Sequence, residues 1–371
     1  MLYPRLVRPL LFAIPPEVAH RNTIRFSRAL ARLDVAHRCL RKLYDVQFKE
    51  LEVAAFGLRF RNPVGLAAGF DKHAEICSLF PDLGFGHVEI GSVSLRPWPG
   101  NPSPTLLRLP RDRALINRPG LNSVGSDLVH ARLQHGHPGI PLGINLVKTA
   151  DPEISGDQAI EDFVQNFLKF YGLADFITLN VSCPNTPEGQ TFENPATLAP
   201  LLKRLREKEA EMCTVHPSKP VLVKLSPDLE DGTLGRILEI TEQYEISGYV
   251  IANTTARRQG LKTRASVLED FGRGGLSGYP LIPYVQAMVR TVRQKTGGRK
   301  PIIAVGGIGC DPRKDPAETV WEYLGMGATL VQLYTGLIYD GPSVVKRINL
   351  GLMNLLRRND YSNIGEFLAP R

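Results

Sequence analysis

A chain of 371 residues is too long for one small core and short for three domains, which leaves one large domain with an appendage, and its 43% apolar and 22% charged residues are ordinary for a globular protein. Its five cysteines (Cys39, Cys77, Cys183, Cys213, Cys310) include no CxxC pair, which speaks against a zinc site or a disulfide scaffold and suits a reducing compartment. The net charge of +8 is uneven, with ten Lys/Arg against four Asp/Glu in residues 1–50, yet no apolar run reaches the roughly 18 residues of a membrane-spanning helix.

Tyr3, Leu6, Val7, Leu10 and Leu11 recur at helical spacing, with Arg5 and Arg8 elsewhere around the axis; Pro9 is expected to weaken or bend that helix. Pro15 and Pro16 stop and restart the chain, Pro16 being suited to a first helical turn. Ala19, Thr23, Phe26, Leu30 and Leu33 then make one mildly apolar stripe, with Arg21, Arg25, Arg28 and Arg32 off it. Two short amphipathic helices with arginine flanks suit a membrane interface, and equally suit two helices packed on the domain behind them. Residues 1–45 are therefore set apart from 46–371. No zinc-finger spacing, RNP-like aromatic motif or Lys/Arg block points to nucleic acid.

From residue 51 the pattern becomes strand, loop and helix in repetition. Eight short runs, apolar on both faces, are expected as strands: 63–68, 87–91, 141–146, 175–180, 220–225, 248–252, 301–305 and 328–333. Helices are expected at 74–81, 123–134, 157–171, 196–213, 232–244, 281–295, 314–325 and 342–358. Doubly buried strands alternating with helices predict an α/β fold, a closed (β/α)₈ TIM barrel with an N-terminal helical extension. Residues 92–140 and 254–280 exceed a simple crossover and are expected as elaborated loops over the active end, with 272–278 mobile.

Chemistry in such a barrel lies at the C-terminal ends of the strands. Those positions carry Gly69 and Lys72, Ser92, Asn145, then Asn180 with Cys183 and Asn185, Lys224, Asn253 and Thr254, Gly306 and Gly307, and Tyr334 and Thr335. Lys or Asn at five of eight ends predicts a shared polar pocket, because such groups are costly to bury without partners. The glycine pair of AVGGIG and the Thr335-Gly336 step of LYTG stand where barrels bind phosphate through backbone N–H groups. Lys72 and Lys224 suit an anionic ligand, and Asn117, Asn145, Asn180, Asn185 and Asn253 suit a planar heterocycle edged with C=O and N–H groups. With no HxxxH, clustered acids or paired carboxylates at the strand ends, a catalytic metal and glycoside hydrolysis are disfavoured, and a phosphate-bearing redox cofactor fits better. Cys183 is the natural proton acceptor, its thiol becoming a usable base when cations or backbone donors depress its pKa. His73 and His87 are assigned to packing.

The motifs NPVGLAAGFDK (62–72), VEIGSVSLRPWPGNP (88–102), ALINRPGLNSVG (114–125), LNVSCPNTP (179–187), VLVKLSPD (221–228), NTT (253–255), GGLSG (274–278), VGGIG (305–309) and YTGLIYDGP (334–342) closely resemble dihydroorotate dehydrogenase. The amino-terminal PEVAHR (16–21) looks like its membrane-associated, quinone-using class. The resemblance implies an FMN-containing barrel that oxidises dihydroorotate to orotate in pyrimidine synthesis and passes electrons to ubiquinone or menaquinone. It implies substrate contacts from Lys72, Asn117, Arg118, Pro119, Gly120, Leu121, Asn180, Asn185, Asn253 and Thr254. FMN contacts would come from Ala68, Gly69, Ser92, Asn145, Asn180, Lys224, Thr254, Ser277, Gly278, Gly306, Gly307, Tyr334 and Thr335. Cys183 would take the proton from C5 of the substrate as hydride leaves C6 for the flavin, and the quinone would enter beside His20, Arg21 and Tyr334. A monomer peripherally bound to a bacterial cytoplasmic or mitochondrial inner membrane is expected.

Three positions depart from that family. Cys183 stands where the quinone class usually has serine, Leu121 where a phenylalanine is typical, and Thr105 where an arginine usually lines the quinone tunnel. Residues 188–190 and TFENP also replace the usual glycine-leucine-arginine after PNTP. The rival readings are a soluble enzyme of the same chemistry using fumarate or NAD, and a flavin-free barrel acting on a phosphorylated metabolite.

Overall fold

Eight strands of almost uniformly apolar sequence close a parallel barrel in the computed structural model, which describes residues 3–182 and 192–369. They are β1 (Val64–Leu66), β2 (His87–Val93), β3 (Leu142–Leu146), β4 (Phe176–Asn180), β5 (Val221–Leu225), β6 (Gly248–Ile251), β7 (Ile302–Val305) and β8 (Leu330–Leu333). Each pairs with the next in sequence, and β8 returns to β1 with Val331 opposite Val64 and Leu333 opposite Leu66. All five residues of β3, of β4 and of β5 are buried, as strands between a packed interior and a helical ring must be. All eight expected strands are present, with ends within two residues of the sequence reading.

One expected helix is absent. Residues 74–81 form two separate 3₁₀ turns, Cys77–Leu79 and Pro81–Leu83. Asp71 takes the backbone N–H groups of Glu75 and Ile76 at 2.7 and 2.9 Å, Ala74 adopts φ +54°, and Pro81 follows; together they divert the backbone from an α-helical ladder.

The bottom of the barrel is covered by a hairpin that the sequence reading missed, Val53–Ala55 paired with Leu58–Phe60. Phe60 meets the ring of His87 edge-on at 5.3 Å, and Phe176 meets it at 6.3 Å. His87 is fully buried, and neither ring nitrogen has a partner among the described residues. Burial pushes its pKa down to about 3, so the folded protein keeps this ring neutral. Below a pH of about 6.5 the unfolded chain gains a proton there that the folded chain refuses, so this residue removes stability as pH falls. A His87→Leu variant is expected to unfold at lower pH than the wild type in an acid titration followed by circular dichroism; an unshifted or raised midpoint would refute this reading.

The two long excursions meet above the opposite end. Leu106–Leu109 and Ala114–Asn117 form an antiparallel pair, and Gly275–Gly278 adds a third strand against Ala114–Asn117. Residues 275–278, expected within a mobile stretch, are thus paired backbone.

At the amino terminus a π-helical turn, Tyr3–Val7, leads into α1 (Arg8–Phe12), and Pro9 lies in the first turn of α1, where its missing N–H matters least. α2 (Pro16–Leu30) begins at Pro16 as expected. A third helix, α3 (Asp34–Tyr44), was not anticipated. Leu40 packs it on the core, and an ionic cluster fixes it: His37 Nδ1 and Arg41 Nε meet the two oxygens of buried Asp82, and His37 Nε2 faces the Ala31 carbonyl at 3.2 Å. Burial alone would lower the His37 pKa, but Asp82 and that carbonyl outweigh it and raise it.

Candidate active site

A cavity of about 580 Å³ opens where the barrel strands end. Its polar floor is one connected line of side chains. Asn253, just beyond β6, donates to the Ser182 carbonyl at 2.7 Å and to Asn180 Oδ1 at 3.4 Å. Asn180, at the end of β4, donates to Ser92 Oγ at 3.0 Å, and Ser92 donates to Asn145 Oδ1 at 2.5 Å. Beneath them Asn145 donates to Glu89 Oε1 and Gln332 to Glu89 Oε2, both at 2.7 Å. Lys224, buried on β5, stands opposite Asn180 in the ladder. Amides whose donors and acceptors are already committed to one another are fixed in orientation, as a planar polar ligand requires.

On one side of the cavity, Lys72 donates to the Asn122 carbonyl at 2.8 Å and to Asn122 Oδ1 at 2.6 Å. Asn117, Pro119 and Leu121 line the same wall. On the other side backbone dominates. Gly306 and Gly307 have φ of +129° and +71°; a Cβ at Gly307 would lie 2.2 Å from Ile282, and one at Gly336 would lie 2.0 Å from the Ile308 carbonyl oxygen. Only glycine allows that close packing; the same three glycines line the cavity with main chain, the kind of surface that takes a phosphate. Ser277 and Thr335 sit beside it with their hydroxyls 2.9 Å apart.

α2 forms part of the mouth through Glu17, His20, Arg21, Arg25 and Arg28. Glu17 accepts from the backbone N–H groups of Thr105 at 2.6 Å and Leu106 at 2.9 Å. Burial would raise its pKa, yet backbone donors, including these two, hold it below the usual carboxylate value. Thr105 therefore ties its loop to α2. Burial, and then the charge of Lys72, lowers the pKa of His20.

Behind this mouth lies a second cavity of about 260 Å³, lined mainly by apolar residues of α1 and α2 on one side and of the barrel on the other. Ala19, Thr23, Phe26 and Leu30 of the sequence stripe line it, whereas Leu33 is exposed. His20, Phe70, Leu106 and Tyr334 border both cavities. Burial pushes the Tyr334 phenol up to about 12, so it stays protonated at neutral pH.

The first cavity thus brings together His20, Arg21, Ala68, Gly69, Lys72, Ser92, Asn117, Pro119, Leu121, Asn180, Lys224, Asn253, Thr254, Ser277, Gly306, Gly307, Tyr334 and Thr335. Four expected residues do not line it. Arg118 turns away, donating to the Pro104 carbonyl at 2.9 Å and to that of Phe271, with its guanidinium over the Phe271 ring. Gly120 is a turn residue at φ +64° packed on Asn101, and Gly278, at φ +97°, lies against the Arg113 carbonyl. Asn145 acts from below, through Ser92. Cys183, Asn185 and residues 188–190 lie outside the described residues. Sequence reasoning missed Asn122, Glu17, Phe70, Glu89 and Gln332. A lone acid inside the apolar run VEIG was the available signal for Glu89.

Fold and site together define a (β/α)₈ barrel with an amide- and lysine-lined cavity at its strand ends and an apolar annex beside it, the layout of a barrel enzyme. A family model of dihydroorotate dehydrogenase matches residues 50–356. A dihydroorotate dehydrogenase (quinone) of Thermobifida fusca is 39% identical over 370 residues, covering 99% of this chain and 96% of the relative. One from Mycobacterium tuberculosis is 38% identical over 365 residues, covering 98% and 97%. The ligand-free structure of the Eimeria tenella enzyme superposes with a TM-score of 0.81 at 30% identity, covering 94% of this chain and 97% of that one. The chain belongs to the dihydroorotate dehydrogenase family.

Proposed function

We propose that this protein oxidises dihydroorotate to orotate on a bound flavin, FMN, and passes the electrons to a quinone, a step in the synthesis of pyrimidines. The observation that carries this reading is the pairing of cavities. A cavity with a polar floor and a glycine cradle adjoins an apolar one roofed by α1 and α2, and the two share His20, Phe70, Leu106 and Tyr334. Fumarate or NAD as acceptor would need polar partners in the second cavity, where a quinone needs apolar walls.

FMN, when bound, supplies a ring that takes two electrons from the substrate and releases them to a second acceptor. Gly306, Gly307 and Thr335 with Ser277 would hold its phosphate; Ala68, Gly69, Ser92, Lys224, Thr254 and Tyr334 would hold the rest, with Asn145 and Gly278 supporting from behind. Lys224 would stabilise negative charge as it develops on the bound flavin. Lys72, Asn117, Asn180, Asn253 and Thr254, with Asn185, would orient the substrate, and Cys183 would accept its proton. Arg118 and Gly120 shape the 117–121 turn, while Pro119 and Leu121 cover the substrate.

Ubiquinone or menaquinone would enter between α1 and α2, with His20 and Tyr334 at the junction and Arg21 at the mouth. Residues 1–45 would be the membrane and quinone segment and 46–371 the catalytic domain. No helix among the described residues is long and apolar enough to cross a membrane. Leu10 and Phe26 are 74% and 66% exposed on arginine-bearing helices, which supports peripheral contact with a bacterial cytoplasmic or mitochondrial inner membrane. Steady-state turnover of dihydroorotate with quinone, fumarate and NAD offered in turn is expected to proceed with quinone alone. Turnover with fumarate or NAD and none with quinone would overturn the reading.

A further inference from the structure

The glycine cradle is built by two segments that run beyond the barrel ladder: the Gly306–Cys310 turn after β7 and the Tyr334–Asp340 stretch after β8. A phosphate held by both needs them at one fixed separation. They touch where Gly336 passes the Ile308 carbonyl, and a third segment spans them. Arg113 follows the short turn between Leu109 and Ala114, in the excursion between β2 and β3. Its Nε donates to the Cys310 carbonyl at 3.0 Å, and its Nη2 donates to the Gly309 carbonyl at 2.9 Å and to Asp340 Oδ1 at 2.8 Å.

The geometry of those bonds is specific. The Gly309–Cys310 peptide is gripped on both sides, because its N–H donates to the Gly307 carbonyl at 2.9 Å while Arg113 takes its C=O. Asp340 is itself fixed, its other oxygen accepting from Arg347 at 2.6 Å. The residue beside Arg113 repeats the link, since the Ala114 carbonyl accepts from the Tyr339 hydroxyl at 2.9 Å. Arg113 also sits at φ +45°, which few residues other than glycine adopt, and its carbonyl accepts from Tyr279 N at 3.2 Å next to Gly278. Yet Arg113 does not line the cavity.

We infer that Arg113 is a positioning residue for the phosphate end of the cofactor site, clamping the Gly306–Cys310 turn to the Tyr334–Asp340 stretch so that both present backbone to one phosphate. A planar guanidinium with several donors in a fixed fork does this as an ammonium does not. The inference rests on the FMN reading above.

The test compares flavins with and without the phosphate. Release of FMN from the purified holoenzyme is followed by the rise of free-flavin fluorescence, and release of riboflavin is followed from the same protein after exchange into riboflavin. Arg113→Gln is expected to speed FMN release about tenfold or more, the size of one or two weakened hydrogen bonds, while riboflavin release stays within about twofold. Arg113→Lys, which can meet Asp340 but cannot fork onto both carbonyls, is expected to fall between, and it carries the comparison if Arg113→Gln does not fold. Equal acceleration of both flavins would show a merely structural role, and unchanged FMN release would show none; either overturns the inference. A wild-type protein that holds riboflavin as firmly as FMN would overturn the cofactor reading itself.

Discussion

Replacing Cys183 by alanine is expected to slow flavin reduction by dihydroorotate about 10²- to 10⁴-fold, the usual contribution of a general base, while orotate binding changes little. The described chain after β4 runs through Val181 and Ser182, both buried. Asn180 at the strand end belongs to the amide line, and Ser182, buried, has its carbonyl held by Asn253 at 2.7 Å. The next residue in sequence is the thiol. An unperturbed thiol has a pKa near 8.5 and a serine hydroxyl lies far higher, so the fraction of competent base at a given pH differs between them. Flavin reduction in the native protein should therefore reach its plateau at lower pH than in a Cys183→Ser variant. Stopped-flow reduction across a pH series checks this, and superimposable profiles for the two proteins would remove Cys183 from the role of base.

The barrel was legible in the sequence because each of its strands is buried on both faces, which leaves an apolar run that no surface element imitates. The site was legible for the complementary reason. Lys224, Asn180 and Asn145 are polar groups within or at the end of such runs, and burial there demands a ligand or a network. Loops lack that constraint. Arg118, read as a substrate contact, lies in a turn with no periodicity to say which way a side chain points, and it faces Phe271 instead. Asn122, three residues past Pro119, is the one that receives Lys72. α3 was hidden because much of its attachment is ionic and distant: His37 and Arg41 depend on Asp82, far along the chain, the helix has no fully buried residue, and only Leu40 among its apolar residues is packed on the core. The three-stranded cover was hidden because Gly275–Gly278 pairs with Ala114–Asn117 across more than 150 residues, and its glycine-rich sequence reads as an open loop. Long-range pairing of that kind leaves no local pattern.

Glu89→Leu should be among the most damaging single substitutions in the barrel interior, lowering stability by about 2–6 kcal/mol and releasing flavin. Glu89 is fully buried, and its two oxygens receive one amide from β3 and one from β8. Leucine would leave Asn145 Nδ2 and Gln332 Nε2 buried as donors without an acceptor, at about 1–3 kcal/mol each. The effect would also travel upward. With its donor no longer anchored, the Asn145 amide is free to rotate; Ser92 then loses the acceptor that fixes its hydroxyl, and Asn180 loses the orientation Ser92 gives it. Glu89→Gln should be milder, because it keeps an acceptor for one neighbour but sets an amide N–H₂ against the donor of the other. Denaturant midpoints and flavin content of the purified variants measure the two consequences separately. A Glu89→Leu protein that kept full stability and full flavin would show that the amide line is held from above by its ligand; loss of both would place its anchor at this carboxylate.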